Sequence, residues 1–261
     1  MTHEANPWWG EFSLAAGEPG RWRIGPLVLW IECAHKEWRL AWQREGACGE
    51  GSAGDAGERF LPDAAATQRF AFRQPGSTVS LQPALADRPV VFRPAQPLSI
   101  PPGETCTLYL ESPLWLVVQA GEPRQSLADV PLSLPSDTWF GPPVRPGGLA
   151  YALTTPAAME LTAVADGHAV TPLSIRNGTD ADLPVQRIHL PVPLLALYRA
   201  GDGRLWTEAV VLERSGSADD LASLRLGRGA PEEAGNCTLL APARQSGDRN
   251  LVIQAFSRLF S

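Results

Sequence analysis

Apolar and polar residues alternate most regularly between positions 171 and 214, TPLSIRNGTDADLPVQRIHLPVPLLALYRAGDGRLWTEAVVLER. That period of two predicts four consecutive strands. Residues 171–176 are an apolar run stopped at Asn177-Gly178, a dipeptide suited to positive φ at a turn. Residues 183–190 follow as one strand, with Val185, Arg187 and His189 on one face and Gln186, Ile188 and Leu190 on the other. Pro191 and Pro193 lack a donor N–H and end it. Residues 194–199 and 204–213 then form a hairpin through Ala200-Gly201-Asp202-Gly203. A loop of two or of four residues places Leu195, Leu197 and Arg199 on the face that carries Trp206, Glu208 and Val210, which makes Arg199 and Glu208 a cross-strand ion pair beside Trp206.

The same signals recur upstream. Residues 22–32 become continuously apolar from Pro26 to Ile31, as in a strand covered on both faces, and residues 37–43 alternate and pair back as a hairpin. Residues 44–66 have no period and read as a long loop. Strands are expected at 68–73, 78–82, 89–93, 97–100, 105–111 and 114–119, each bounded by Pro or Gly. Residues 136–148 form a turn-rich junction, after which 149–153, 159–164, 221–226 and 236–241 supply further strands. The expectation is an all-β chain of two immunoglobulin-like β-sandwich domains, 1–135 and 149–261. Residues 250–261 are the exception: Val252, Ala255, Phe256 and Leu259 recur at helical spacing and predict a short C-terminal helix docked on the second sandwich.

At 261 residues the chain suits two domains. The net charge is −6, and Lys36 is the single lysine, so no basic tract invites nucleic acid or anionic lipid. No stretch is long and apolar enough to span a membrane, and the first residues lack a leader pattern, so the expectation is a cytoplasmic protein. Cys33, Cys48, Cys106 and Cys237 fall in no paired spacing and read as free thiols.

The pattern Ile175-x-Asn177-x-Thr179, followed by Leu183-x-Val185-x-x-Ile188, resembles the central strands of bacterial immunoglobulin-like domains. More broadly, WRIGPLVLWIE (22–32), SDTWFGPPVRPG (136–147) and LPVPLLALYRAGDGRLWTEAV (190–210) resemble an uncharacterised prokaryotic family, domain of unknown function 432. The resemblance implies no activity and supplies no site residues.

The motifs that carry chemistry are missing. Gly49-Glu50-Gly51-Ser52-Ala53-Gly54 matches a dinucleotide fingerprint in letters, but no amphipathic helix follows to meet a pyrophosphate. There is no Gly-Lys-Ser/Thr phosphate loop, no H-E-x-x-H helix and no G-x-S-x-G elbow. His3, His35, His168 and His189 are too far apart for a local metal motif. No cofactor or metal is therefore expected. The candidate binding face is Arg187, His189, Arg199, Trp206 and Glu208. The leading expectation is a non-enzymatic interaction or regulatory protein, meeting a protein partner or a second copy of itself through loops and sheet edges. A carbohydrate or small-ligand binder using Trp38, Trp42 and Trp206 is the alternative. A hydrolase using Asp137, Glu208 and Glu213 is a third, although the spacing of these acids does not bring them together.

Overall fold

The computed structural model describes residues 7–44, 67–139, 148–155, 158–161, 164–215 and 221–254. The protein is all-β, and helical structure among the described residues is confined to short 3-10 turns such as Val192–Leu194 and Glu232–Ala234. It divides into two compact units, each built from two stretches of chain: Met1–Ala84 with Trp115–Ser133, and Leu85–Leu114 with Leu134–Ser261.

The first unit contains two four-stranded antiparallel sheets. One runs β1 (Gly10–Ser13), β6 (Thr78–Ala84), β10 (Trp115–Ala120), β11 (Gln125–Pro131); the other runs β2 (Pro19–Ile24), β3 (Leu27–Ala34), β4 (Glu37–Arg44), β5 (Gln68–Ala71). The apolar run predicted to be covered on both faces is β3, where Leu27, Val28, Leu29 and Ile31 are all fully buried. The sheets are joined by an edge-to-face contact of Phe12 with Trp22, and by the Arg44 guanidinium donating to the Pro131 carbonyl at 3.1 and 2.5 Å.

The second unit is organised on β14 (His168–Gly178). On one side β9 (Thr105–Pro113) pairs with it antiparallel, from His168 opposite Pro113 to Arg176 opposite Thr105. On the other side two strands run parallel to it in succession, β18 (Leu205–Thr207) and β19 (Val210–Ser215). Val170 faces Trp206 while Leu173 faces Val210, so the second chain spends one extra residue between them, a bulge at Glu208-Ala209. The sheet divides there. One arm continues from β18 to β17 (Leu197–Ala200) and β21 (Cys237–Ala241), the other from β19 to β20 (Leu221–Leu226) and β22 (Asn250–Gln254). A second sheet orders β12 (Ser136–Trp139), β13 (Leu149–Thr155), β7 (Val90–Pro94) and β16 (Ile188–Leu190), and β15 (Leu183–Val185) pairs with β8 (Leu98–Ile100). Immunoglobulin-like sandwiches use antiparallel sheets, whereas β13 with β7 and β14 with β19 are parallel here.

Several local expectations change. The division at residues 136–148 does not follow the pairing, because β7, β8 and β9 precede it in sequence yet pair with strands that follow it. Residues 183–190 are not one strand. A bend at Gln186-Arg187 resets the alternation, so Leu183, Val185, Ile188 and Leu190 all point inward and β15 and β16 join different sheets. Among the described residues of the stretch 159–164 no strand is seen; the neighbouring Ala158 makes a single bridge to Tyr109, and residues 162 and 163 lie outside the described set. The start of the expected C-terminal helix is a strand, since residues 250–254 pair with β20 as β22; residues 255–261 lie outside the described set. So do the expected loop at 45–66, with its glycine motif and Cys48, and His3. Gly178 has ordinary strand φ. What requires glycine there is the Arg214 carbonyl oxygen, which a Cβ would meet at 2.9 Å.

Candidate functional site

Four of the five residues of the expected face are distributed over two sheets, and the fifth, Arg187, lies between strands. Arg187 lies in the bend before β16, where burial and the nearby Arg93 charge push its guanidinium below its ordinary pKa. His189, opposite Val91 on β16, is pushed down to about 4 because burial penalises the charged imidazole. Arg199, Trp206 and Glu208 belong to the eight-stranded sheet, and here the hairpin geometry corrects the parity. Ala200 donates to the Arg204 carbonyl at 2.9 Å and Gly203 takes φ of 88°, so the loop is Gly201-Asp202-Gly203, of three residues. The register becomes Arg199 opposite Leu205 and Tyr198 opposite Trp206. Arg199 and Trp206 therefore point to opposite faces.

Trp206 is 2% exposed and packs with Val170 and Ala200, under Tyr109, Leu161, Val164, Ala234 and Cys237. It is core, not an exposed platform, and its indole N–H has no hydrogen-bond partner among the described residues. Trp38 is likewise fully buried and donates to the Pro75 carbonyl at 2.7 Å; Trp42 is half-buried. Tryptophan volume thus fills cores, as its large area favours.

Glu208 is buried at the bulge. Its carboxylate accepts the Ala196 N–H at 2.5 Å and an Arg249 Nη2–H at 2.7 Å. Arg249 also donates from Nε to the Gly227 carbonyl at 2.9 Å. The partner of Glu208 is Arg249 and not Arg199. The other two acids of the hydrolase reading are also in ion pairs: Asp137 with Arg88 at 3.4 Å, and Glu213 between Arg176 and Arg225 at 3.9 and 3.7 Å. Beside Asp137, Arg88 lies over the Tyr151 ring at 5.3 Å, and Tyr151 donates to Asp87 at 2.8 Å, its hydroxyl pushed up to about 12 by burial and by that carboxylate. These are exposed surface ion pairs, of the kind that contribute little to stability.

The first unit has an open cleft of about 350 Å³ between the turn at Pro75-Gly76 and the turn at Gly121–Arg124. Its charged groups are Glu11, Glu122 and Arg124, and Arg124 is already paired to Glu11 at 2.5 Å.

Sequence reasoning missed the edge of the eight-stranded sheet. β21 pairs with β17 on one side, and among the described residues no strand lies beyond it. Leu239 on this strand is 60% exposed and sits opposite half-buried Tyr198, which sits opposite Trp206. The row Leu239, Tyr198, Trp206 and Val170 thus runs from solvent to core on one face of the sheet. The only signal available beforehand was the uncharged run Cys237-Thr238-Leu239-Leu240-Ala241.

Cys33, Cys106 and Cys237 are free thiols, and among the described residues no helix is long and apolar enough to cross a membrane. No curated protein and no solved structure matches the chain. A family model does, over residues 8–261, and the chain therefore belongs to the family described as Protein of unknown function (DUF432).

Proposed function

We propose that this chain is a non-enzymatic interaction protein that takes up a partner polypeptide as an added strand along β21. The observation that carries the reading is the character of that edge. Sheets discourage edge pairing by placing charges along exposed strands. The outer strands β1, β2, β5, β9, β11 and β12 carry Glu11, Arg21, Arg69, Glu111, Asp129 and Asp137 respectively. β8, β15, β16, β21 and β22 are outer strands without an acid, lysine or arginine, and among the described residues β21 is the one of these on which a large apolar side chain, Leu239, stands in solvent. Added strands draw affinity from main-chain hydrogen bonds and selectivity from alternate side chains. Leu239, backed by Tyr198, would be the selective position. Three free thiols support a reducing, cytoplasmic setting for such a protein.

Selection of extended peptides from a displayed library, followed by titration into wild type and Leu239→Lys, tests this. Wild type is expected to bind the selected peptides and to show slowed amide exchange at Cys237 and Leu239. Leu239→Lys is expected to bind about tenfold more weakly, a loss near 1.4 kcal/mol, at unchanged melting temperature. Equal binding by the variant, or protection confined to other strands, would sink the reading.

A further inference from the structure

The backbone of β21 narrows the partner. Ala200 directs its N–H to Arg204 on the β18 side. The N–H and C=O of a strand residue share one side and successive residues alternate, so Arg199 directs its groups to β21, where it pairs with Thr238. Cys237 and Leu239 therefore turn their backbone groups away from β17, toward the open edge. The register then shifts between Tyr198 and Leu197, which leaves Leu240 as an extra residue and ends the regular stretch at Leu239.

From this geometry, and resting on the β21 reading above, we infer that the strand added at this edge is β21 of a second copy of the chain, antiparallel about a two-fold axis through Thr238. That axis sets Cys237 opposite the partner copy's Leu239, and Leu239 opposite the partner copy's Cys237. Each pair exchanges both backbone hydrogen bonds, because those are the residues whose groups face outward. Thr238 meets its own counterpart in the close, non-hydrogen-bonded position, and Thr–Thr pairs are favourable there. An isologous contact must be self-complementary. A charge at the axis position fails that condition by facing its own copy; Thr238, which is uncharged, does not. Leu239 also gains apolar cover from the partner's Cys237. With so short a pairing the contact falls below the size of stable interfaces, so the dimer is reversible.

Sedimentation equilibrium of the full chain from about 1 to about 200 µM, the range suited to a small interface, reads this directly. Wild type is expected to pass from monomer to dimer across the range. Thr238 is exposed, so Thr238→Lys and Thr238→Glu are expected to fold normally. Each sets like charges across the axis and is expected to weaken the dimer tenfold or more, while an equimolar mixture of the two restores it. A wild type that stays monomeric, or single variants that dimerise as well as wild type, overturns the inference. If wild type is monomeric yet still binds displayed peptides in a Leu239-dependent way, the self-pairing alone fails and the edge reading survives. If peptide binding fails as well, both fall.

Discussion

Glu208 and Arg249 meet at 2.7 Å where the eight-stranded sheet divides, and the contact ties its two arms together. Glu208 sits at the bulge between β18 and β19. It holds the Ala196 N–H at the entrance to the β17 arm, while Arg249 stands immediately before β22 and holds the Gly227 carbonyl at the end of β20. A bulge leaves ladder groups unpaired, and this ion pair satisfies backbone groups on both sides of it.

Glu208 is 4% exposed at its side chain and Arg249 34%, so removing the acid strands a partly buried cation and an amide donor. Glu208→Ala is expected to lose roughly 3 kcal/mol in urea unfolding, the scale for breaking a buried pair. Arg249→Met should lose a similar amount, and the double variant clearly less than the sum of the two. Additive losses below about 1 kcal/mol each, the range of exposed pairs, would mean that the arms are held by something else.

Asn177 is the second buried polar joint. Its Nδ2 donates to the carbonyls of Ile100 and Ala181, both at 2.8 Å, and its Oδ1 accepts from the Thr179 N–H at 3.1 Å and hydroxyl at 2.7 Å. Both ends of the amide are used, so no isostere serves. Asn177→Asp presents an acceptor to two carbonyls and is expected to destabilise at least as much as Asn177→Ala, with losses of about 2 to 4 kcal/mol from orphaned buried groups. An aspartate variant as stable as wild type would refute this account of the turn.

Strand existence was legible because the pattern is local: the unbroken apolar run through Leu29 and Ile31 announces β3, and the alternation of Trp38 and Leu40 with polar neighbours announces β4. What was illegible depended on distant or single-residue events. The three-residue loop at Gly201–Gly203 inverts the parity of Arg199 relative to Trp206, and a count of turn residues does not reveal which glycine takes positive φ. The bend at Gln186-Arg187 lets Leu183, Val185, Ile188 and Leu190 all face inward, a gain in burial that strict alternation conceals. Residues 250–254 carry part of a helical pattern yet pair with β20, tertiary pairing overriding local period. Glu208 looked like a surface acid because its cation lies 41 residues away. The edge at β21 depends on which strand closes the sheet, and that follows from non-local pairing alone.

Trp206 gives an asymmetric pair of substitutions. Trp206→Ala empties the core between Val170 and Ala200 and is expected to lose about 3 to 5 kcal/mol. Trp206→Phe keeps most of the ring and deletes an indole N–H that is buried without a partner among the described residues. Its loss is expected to be less than half that of the alanine variant, since removing an unsatisfied buried donor is favourable in itself. Thermal unfolding of the two variants provides the measurement. Equal losses would mean that the indole nitrogen has a partner, such as an ordered water, that the phenyl ring cannot keep.

His189 links the second sheet of this unit to pH. Its imidazole titrates near 4 in the folded chain because burial disfavours the cation, against about 6.5 when unfolded. Between those values the unfolded chain binds the extra proton, so stability rises with pH through the window. The contribution is complete above about pH 6.5 and is lost as pH falls through the window toward the folded value near 4. A shift of that size corresponds to about 3 to 4 kcal/mol as an upper bound. His189→Gln has no proton to gain and is expected to flatten the urea midpoint between pH 6.5 and 4.5, a range set by the histidine reference value, whatever its effect at pH 8. If wild type and His189→Gln show parallel midpoint curves through this range, burial does not hold the imidazole neutral, and His189 titrates as an accessible side chain.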